Sequence, residues 1–120
     1  MGLRVDAITM DCNDMAKIRR FWAEALGHRE VEGGVDWSWV EHPDGLRPRI
    51  CIQKVPEGKI VKNRIHLDLR LGEDTTLDSE RHRLERLGAT ALRLVGAEPG
   101  NRHYLMADPE GNEFCLVDGM

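Results

Sequence analysis

The sequence predicts an α+β protein built from two tandem β-α-β-β-β modules. Three observations carry this. Two amphipathic helical patterns each end at a glycine, and short runs of period-two alternation surround both. Two turn-plus-strand segments also echo each other, "HPDGLRPRICIQ" from His42 to Gln53 and "DPEGNEFCLVD" from Asp108 to Asp118. Each copy sets a Pro, an acidic residue and a Gly ahead of an apolar strand that carries one cysteine, Cys51 or Cys115.

In the first module, "VDAITMDC" from Val5 reads as a strand. "NDMAKIRRFWAEALG" follows it, with Met15, Ile18, Trp22 and Leu26 at helical spacing, Asn13 or Asp14 as cap and Gly27 after the last turn. "HREVEG", "VDWSWVEH" and "PRICIQKV" then form three strands joined by the Gly33-Gly34 and "HPDG" turns. In the second module, "RIHLDLRL" alternates Ile65, Leu67, Leu69 and Leu71 with His66, Asp68 and Arg70, a half-buried strand. "TTLDSERHRLERLG" reads as a helix with a capping box from Thr75 to Asp78, apolar Leu77, Leu84 and Leu87, and Gly88 at its end. "ATALRLV", "RHYLMA" and "NEFCLVD" complete the module. Gly27 and Gly88 lie about sixty residues apart, as do Ala7 and His66, so the pattern is an internal duplication. The expected organisation is one domain over 1–120, with module one at about 3–55, a polar connector at 56–63 and module two at about 64–119.

Composition narrows the function classes. A chain of 120 residues with 41% hydrophobic and 32% charged residues suits one globular domain. A formal charge of -4 argues against a phosphate-backbone binder, so no nucleic-acid partner is expected. No segment approaches the roughly 20 apolar residues of a membrane span, and no leader-like pattern opens the chain, so a cytoplasmic protein without a membrane partner is expected. Cys12, Cys51 and Cys115 are odd in number and widely spaced, which signals neither a disulfide framework nor a zinc ribbon. Nucleophile-elbow, Walker and dinucleotide-binding patterns do not occur.

The paired modules, the helix end "FWAEALG", the "HLDL" strand and the closing "DPEGNEF" segment together resemble the vicinal oxygen chelate superfamily, the group of glyoxalase I, extradiol dioxygenases and bleomycin-resistance proteins, and most closely its glyoxalase-like branch. The resemblance covers nearly the whole chain. It implies a curved mixed sheet with a concave cup, helices on the convex side and a homodimer. In metal-using relatives the ligands come from the first and last strands of the modules. Carried over, those positions fall on Ala7, His66, near Cys51 and on Cys115, where the family's enzymes commonly have Glu. His66 alone is of the expected type, and Ala7 cannot ligate. The standard metal triad is therefore not expected, and a divalent metal is kept as the alternative.

Strand alternation places Ile8, Met10, Leu67, Leu69, Phe114 and Leu116 on the helix-covered face and Thr9, Asp11, Gln53, His66, Asp68, Arg70, Glu113 and Cys115 in the cup. His66 is the best catalytic candidate, as metal ligand or general base, against a structural histidine bonded to Asp68 or Arg64. Cys51, Cys115 and His66 would make a zinc-type set, although buried apolar filling is the commoner fate of free cysteine. His66, Asp68 and Glu113 offer a second metal set. Trp37 and Trp39, two apart on one strand face, are either a stacking wall for a planar ligand or core packing against Phe21 and Trp22. "RHRLERLG" reads as a solvated helix face, and Lys62 to Arg64 as exposed connector charge or an anion holder at the cup mouth. The expected function is binding of a small organic molecule in the cup by Trp37, Trp39, Gln53, His66, Asp68, Glu113 and Cys115. The alternative is an isomerase, lyase or dioxygenase that uses His66 with a divalent metal or as an acid-base residue.

Overall fold

The computed structural model describes residues 2–118, which form two compact units meeting in sequence at Gly58 and Lys59. The first unit contains β1 (Ala7–Cys12), α1 (Met15–Leu26), β2 (Arg29–Glu32), β3 (Trp37–Glu41) and β4 (Arg49–Lys54). The second contains β5 (Leu67–Arg70), α2 (Leu77–Arg86), β6 (Thr90–Val95), β7 (His103–Ala107) and β8 (Glu113–Val117). Each unit has one four-stranded mixed sheet. The strand orders β1-β4-β3-β2 and β5-β8-β7-β6 are the same order written twice, with the first pair parallel and the others antiparallel. The duplication read in the sequence is thus a duplication of topology.

In the first unit the Asp14 carboxylate accepts the Lys17 amide at 3.2 Å and caps α1, while Gly27 ends it at φ 67°. That left-handed backbone is one an L side chain rarely adopts, which explains the glycine. The helix buries Ile18, Phe21, Trp22 and Ala23, and it packs on β2, β3 and β4. Ser38, Val40, Ile50 and Ile52 are buried on the same side of the sheet. Because strand side chains alternate, Trp37, Trp39, Cys51 and Gln53 must lie on the opposite, helix-free face.

The second unit repeats this with local adjustments. The cap of α2 is Thr76, whose hydroxyl accepts the Ser79 amide at 3.2 Å, and not Thr75 of the expected capping box. This one-residue shift makes Leu77 the first helical residue and buries it, and it leaves Asp78 free to accept the Tyr104 hydroxyl at 3.2 Å. The first strands of both units start later than their alternation suggests. Val5 and Ile65 lie outside β1 and β5, and Ile65 is 82% exposed. The exposed face of α2 carries the Arg81 to Glu85 and Arg83 to Glu80 pairs, as a solvated helix face does. In β8, Cys115 and Val117 are buried as well as Phe114 and Leu116, because this inner strand is flanked by β5 and β7.

The two echoing turns share a device. The His42 carbonyl accepts the Gly45 amide and its ring Nδ1 the Asp44 amide, at 2.8 and 3.0 Å. At the second turn the buried Asp108 carboxylate accepts the amides of Glu110 and Asn112 and the Asn112 side chain at 2.9–3.0 Å. Each turn is closed by the side chain that begins it.

Candidate functional site

Register places three rows on the helix-free face of the first sheet. Asp11, Gln53 and Trp37 are successive cross-strand partners, as are Thr9, Cys51, Trp39 and Val31, with Ala7 and Arg49 below them. Trp37 and Trp39 stack with ring centroids 5.1 Å apart and planes 22° apart. The core alternative for them is not realised. Phe21 and Trp22 are buried beneath the other face, edge to face at 5.3 Å, whereas Trp37 is 46% exposed. Behind the pair the Arg49 guanidinium lies 4.9 Å from the Trp39 ring centroid, and Arg49 pairs with Asp6 at 3.6 Å. The Trp39 indole N–H donates to Glu41 at 3.1 Å, and Glu41 also takes Arg29. These contacts hold its carboxyl below the usual range, first through Arg29 and then through Trp39.

Beside Trp37 the surface opens into a hollow of about 370 Å³ lined by Thr9, Asp36, Trp37, Cys51, Ile52 and Gln53. This falls within the roughly 300–1,000 Å³ typical of small-molecule sites. Trp37, Gln53 and Thr9 were readable as candidates from strand alternation. Asp36 was missed because "VDWSWVEH" reads as strand from Val35, whereas β3 begins at Trp37 and Asp36 belongs to the preceding turn. The signal for it was the Gly33-Gly34 pair, which places the turn just ahead of the tryptophans. Cys51 is not a buried filler. It is half-buried and borders the hollow, because its β4 position points away from α1.

The second unit brings together a different group. His66 Nε2 lies 3.3 Å from Asp68 Oδ1, and the donor atoms of His66, Asp68 and Cys115 all fall within 4.8 Å of one another. Asp68 and Cys115 are register partners on β5 and β8. Burial, and then the charge and hydrogen bond of Asp68, push the Cys115 thiol pKa up. The other metal sets considered from the sequence are not assembled within this unit. Cys51 belongs to the first unit, and the Glu113 carboxylate is occupied by connector residues. It accepts the Asn63 amide at 2.9 Å and Lys59 at 3.1 Å, with Lys62 at 3.9 Å. Those partners, the Asn63 amide first, hold Glu113 below the usual carboxylate range. Lys62 and Asn63 therefore engage a carboxylate of the protein's own.

The family model of the glyoxalase-like domain matches residues 7–117. The chain belongs to the glyoxalase-like domain family. Among curated proteins no sequence match is found. Solved structures similar to this glyoxalase-like chain include a mutant of the fosfomycin resistance protein FosX from Listeria monocytogenes, complexed with Mn(II) and dihydroxypropylphosphonic acid. It has 20% identity and a TM-score of 0.78 over 100% of this chain and 93% of that one. A glyoxalase/bleomycin resistance protein/dioxygenase family enzyme from Burkholderia phytofirmans PsJN is 14% identical, with a TM-score of 0.74 over 92% and 94% of the two chains. The oxidase ChaP-H2 is 18% identical, with a TM-score of 0.69 over 97% and 93%. At these identities the likeness is one of fold.

The Mn(II) of the FosX complex makes the donor chemistry of this chain worth testing against a metal. Ala7 brings no donor atom. The cluster that does exist has one imidazole, one carboxylate and one thiol, a set that suits a borderline ion such as zinc better than the hard oxygen-loving ions. Among the described residues no helix is long and apolar enough to cross a membrane.

Proposed function

We propose that this glyoxalase-like chain holds a small organic molecule against the helix-free face of its first sheet. Trp37 is the stacking surface, Trp39 its backing, and Gln53 and Thr9 are the hydrogen-bonding groups. The observation that supports this best is the hollow beside Trp37, an open apolar wall next to convergent polar groups. Large aromatic surface left exposed costs solvation free energy unless something covers it in use. Binding needs no metal in this reading. The test is a fragment screen by tryptophan fluorescence on chelator-treated protein. Hits should lose affinity in Trp37→Ala and Gln53→Ala, and hits indifferent to both substitutions would contradict the reading.

A second reading is supported by the His66, Asp68 and Cys115 cluster. It assigns an isomerase, lyase or dioxygenase activity of the family kind. Asp68 orients the His66 imidazole through Nε2, which leaves Nδ1 to take or give a proton, and Cys115 braces Asp68 from the neighbouring strand. A divalent ion held by these three residues would supply Lewis-acid polarisation of a substrate oxygen. Elemental analysis of protein purified without affinity nickel separates the readings. Near-zero metal favours the first, and close to one ion per chain, lost in His66→Ala, favours the second.

A homodimer is part of the same proposal. Each sheet ends in outer strands, β1 and β2 or β5 and β6, whose outer edges are the kind of surface proteins cover by association. Light scattering should give twice the chain mass, and a monomer at micromolar concentration would contradict this.

A further inference from the structure

The hollow beside Trp37 carries a charge signature that narrows the chemistry of its occupant. Asp36 lines it directly, and Asp11 stands beside Gln53 as its register partner on the same face. Both carboxylates are exposed, and among the described residues neither has an ion pair or a side-chain hydrogen bond. The cations of this sheet face are committed elsewhere. Arg49 stacks on Trp39 and pairs with Asp6, and Arg29 is held by Glu41. Lys54 pairs in register with Cys12, which puts it on the helix side. The hollow therefore joins an open indole to two uncompensated negative charges. Cys51 gives it an apolar floor, and the Gln53 amide offers both a donor and an acceptor.

We infer that the preferred ligand is a planar organic cation, an amidinium or guanidinium small enough to lie on Trp37. A cation over an indole is attracted by the negative face of the ring, and a neighbouring carboxylate adds directly to that attraction. A neutral planar molecule keeps the stacking but loses both electrostatic contributions. An anion meets Asp36 and Asp11 as like charges. The arrangement orders three ligands of one shape by charge alone. This rests on the binding reading above and adds the ligand class to it.

The test uses benzamidine, benzamide and benzoate, which share a ring and a size and differ in charge. Each is titrated into chelator-treated full-length protein at low salt, followed by tryptophan fluorescence. Benzamidine should bind at least about tenfold more tightly than benzamide, the factor expected of one cation–π contact with a partly screened charge pair, and benzoate should be weakest. Added salt should shrink the preference. The double variant Asp11→Asn/Asp36→Asn should remove most of the benzamidine advantage over benzamide and its salt dependence, leaving only the cation–π part, and an unchanged far-ultraviolet circular dichroism spectrum shows that the variant is folded.

Equal affinity for benzamidine and benzoate, a preference undiminished in the double variant, or no detectable binding of benzamidine at millimolar concentration would each overturn the inference. If all three bind alike and Trp37→Ala removes them, the charge inference fails while the binding reading stands. If none depends on Trp37, both fail.

Discussion

Trp37 and Trp39 stack 5.1 Å apart at 22°, and the Gly33-Gly34 turn lies so close to both rings that a side chain there would meet them. A Cβ built at Gly33 would meet the Trp37 carbonyl oxygen and Trp39 Cζ3, each at 3.0 Å. A Cβ at Gly34 would meet only the Trp37 ring, at 3.1 and 3.3 Å. The carbonyl belongs to β3 and cannot step aside, whereas a partly exposed ring can turn.

Gly33→Ala should therefore cost on the order of 1–3 kcal/mol, the usual scale of overpacking, and weaken the near-ultraviolet circular dichroism of the stacked indoles. Gly34→Ala should alter the dichroism with a smaller loss of stability. Urea denaturation checks the ranking, and equal or reversed losses would contradict it.

Ser38 faces α1 among Val40, Ile50 and Ile52, buried, and its hydroxyl has no hydrogen-bond partner among the described residues. A buried hydroxyl without a partner carries an uncompensated desolvation cost. Ser38→Ala should thus be neutral or stabilise by about 1 kcal/mol. A clear fall in denaturation midpoint would show that the hydroxyl is satisfied.

These details mark how far the sequence could be read. Element order and the duplication were legible because each follows from local chemistry. Asp14 and Gly27 bound one helix, and alternation marks the strands. The two faces of β3 were also implied by Trp37 and Trp39 being two apart, but which face α1 covers is decided by Ser38 and Val40, and serine is no core signal. Glu113 read as a cup residue because its partner is the amide of Asn63, fifty positions away, and no pattern announces such a bond. His66 and Cys115 were singled out, yet their grouping with Asp68 depends on the parallel register of β5 and β8.

His28 and His42 meet edge to face at 5.4 Å, and the His28 Nδ1 is buried with no hydrogen-bond partner among the described residues. Burial, and then His42, lower the His28 pKa from its ordinary 6.5. The unfolded chain then binds the proton more readily than the folded one. The His28 contribution to stability is complete above about pH 6.5 and is lost as the pH falls from there towards the lowered folded value. The melting temperature should drop as the pH falls below about 6.5, and His28→Gln should flatten that slope. A slope unchanged by the substitution would contradict the assignment.

Cys51 borders the hollow, while Cys12 and Cys115 are buried and the Cys115 thiol is pushed up by burial and Asp68. A thiol reagent should label Cys51 first, and Cys115 slowly in the native protein. A ligand in the hollow should protect Cys51 and leave the slow sites unaffected. Rapid labelling of Cys115, or ligand protection confined to it, would move attention to the second unit.

In the proposed binding mode the ligand meets the chain at the Trp37 face without a metal. Its most direct measurement is the nuclear magnetic resonance spectrum of the tryptophan indole N–H groups, three signals from Trp22, Trp37 and Trp39, recorded on chelator-treated protein as fragment hits are added. The Trp37 and Trp39 signals and the Gln53 side-chain amide should shift in a saturable way, while the signal of buried Trp22 stays in place. Hits that leave Trp37 and Trp39 unmoved, or that bind only after zinc is added and then perturb the His66 ring, would contradict it.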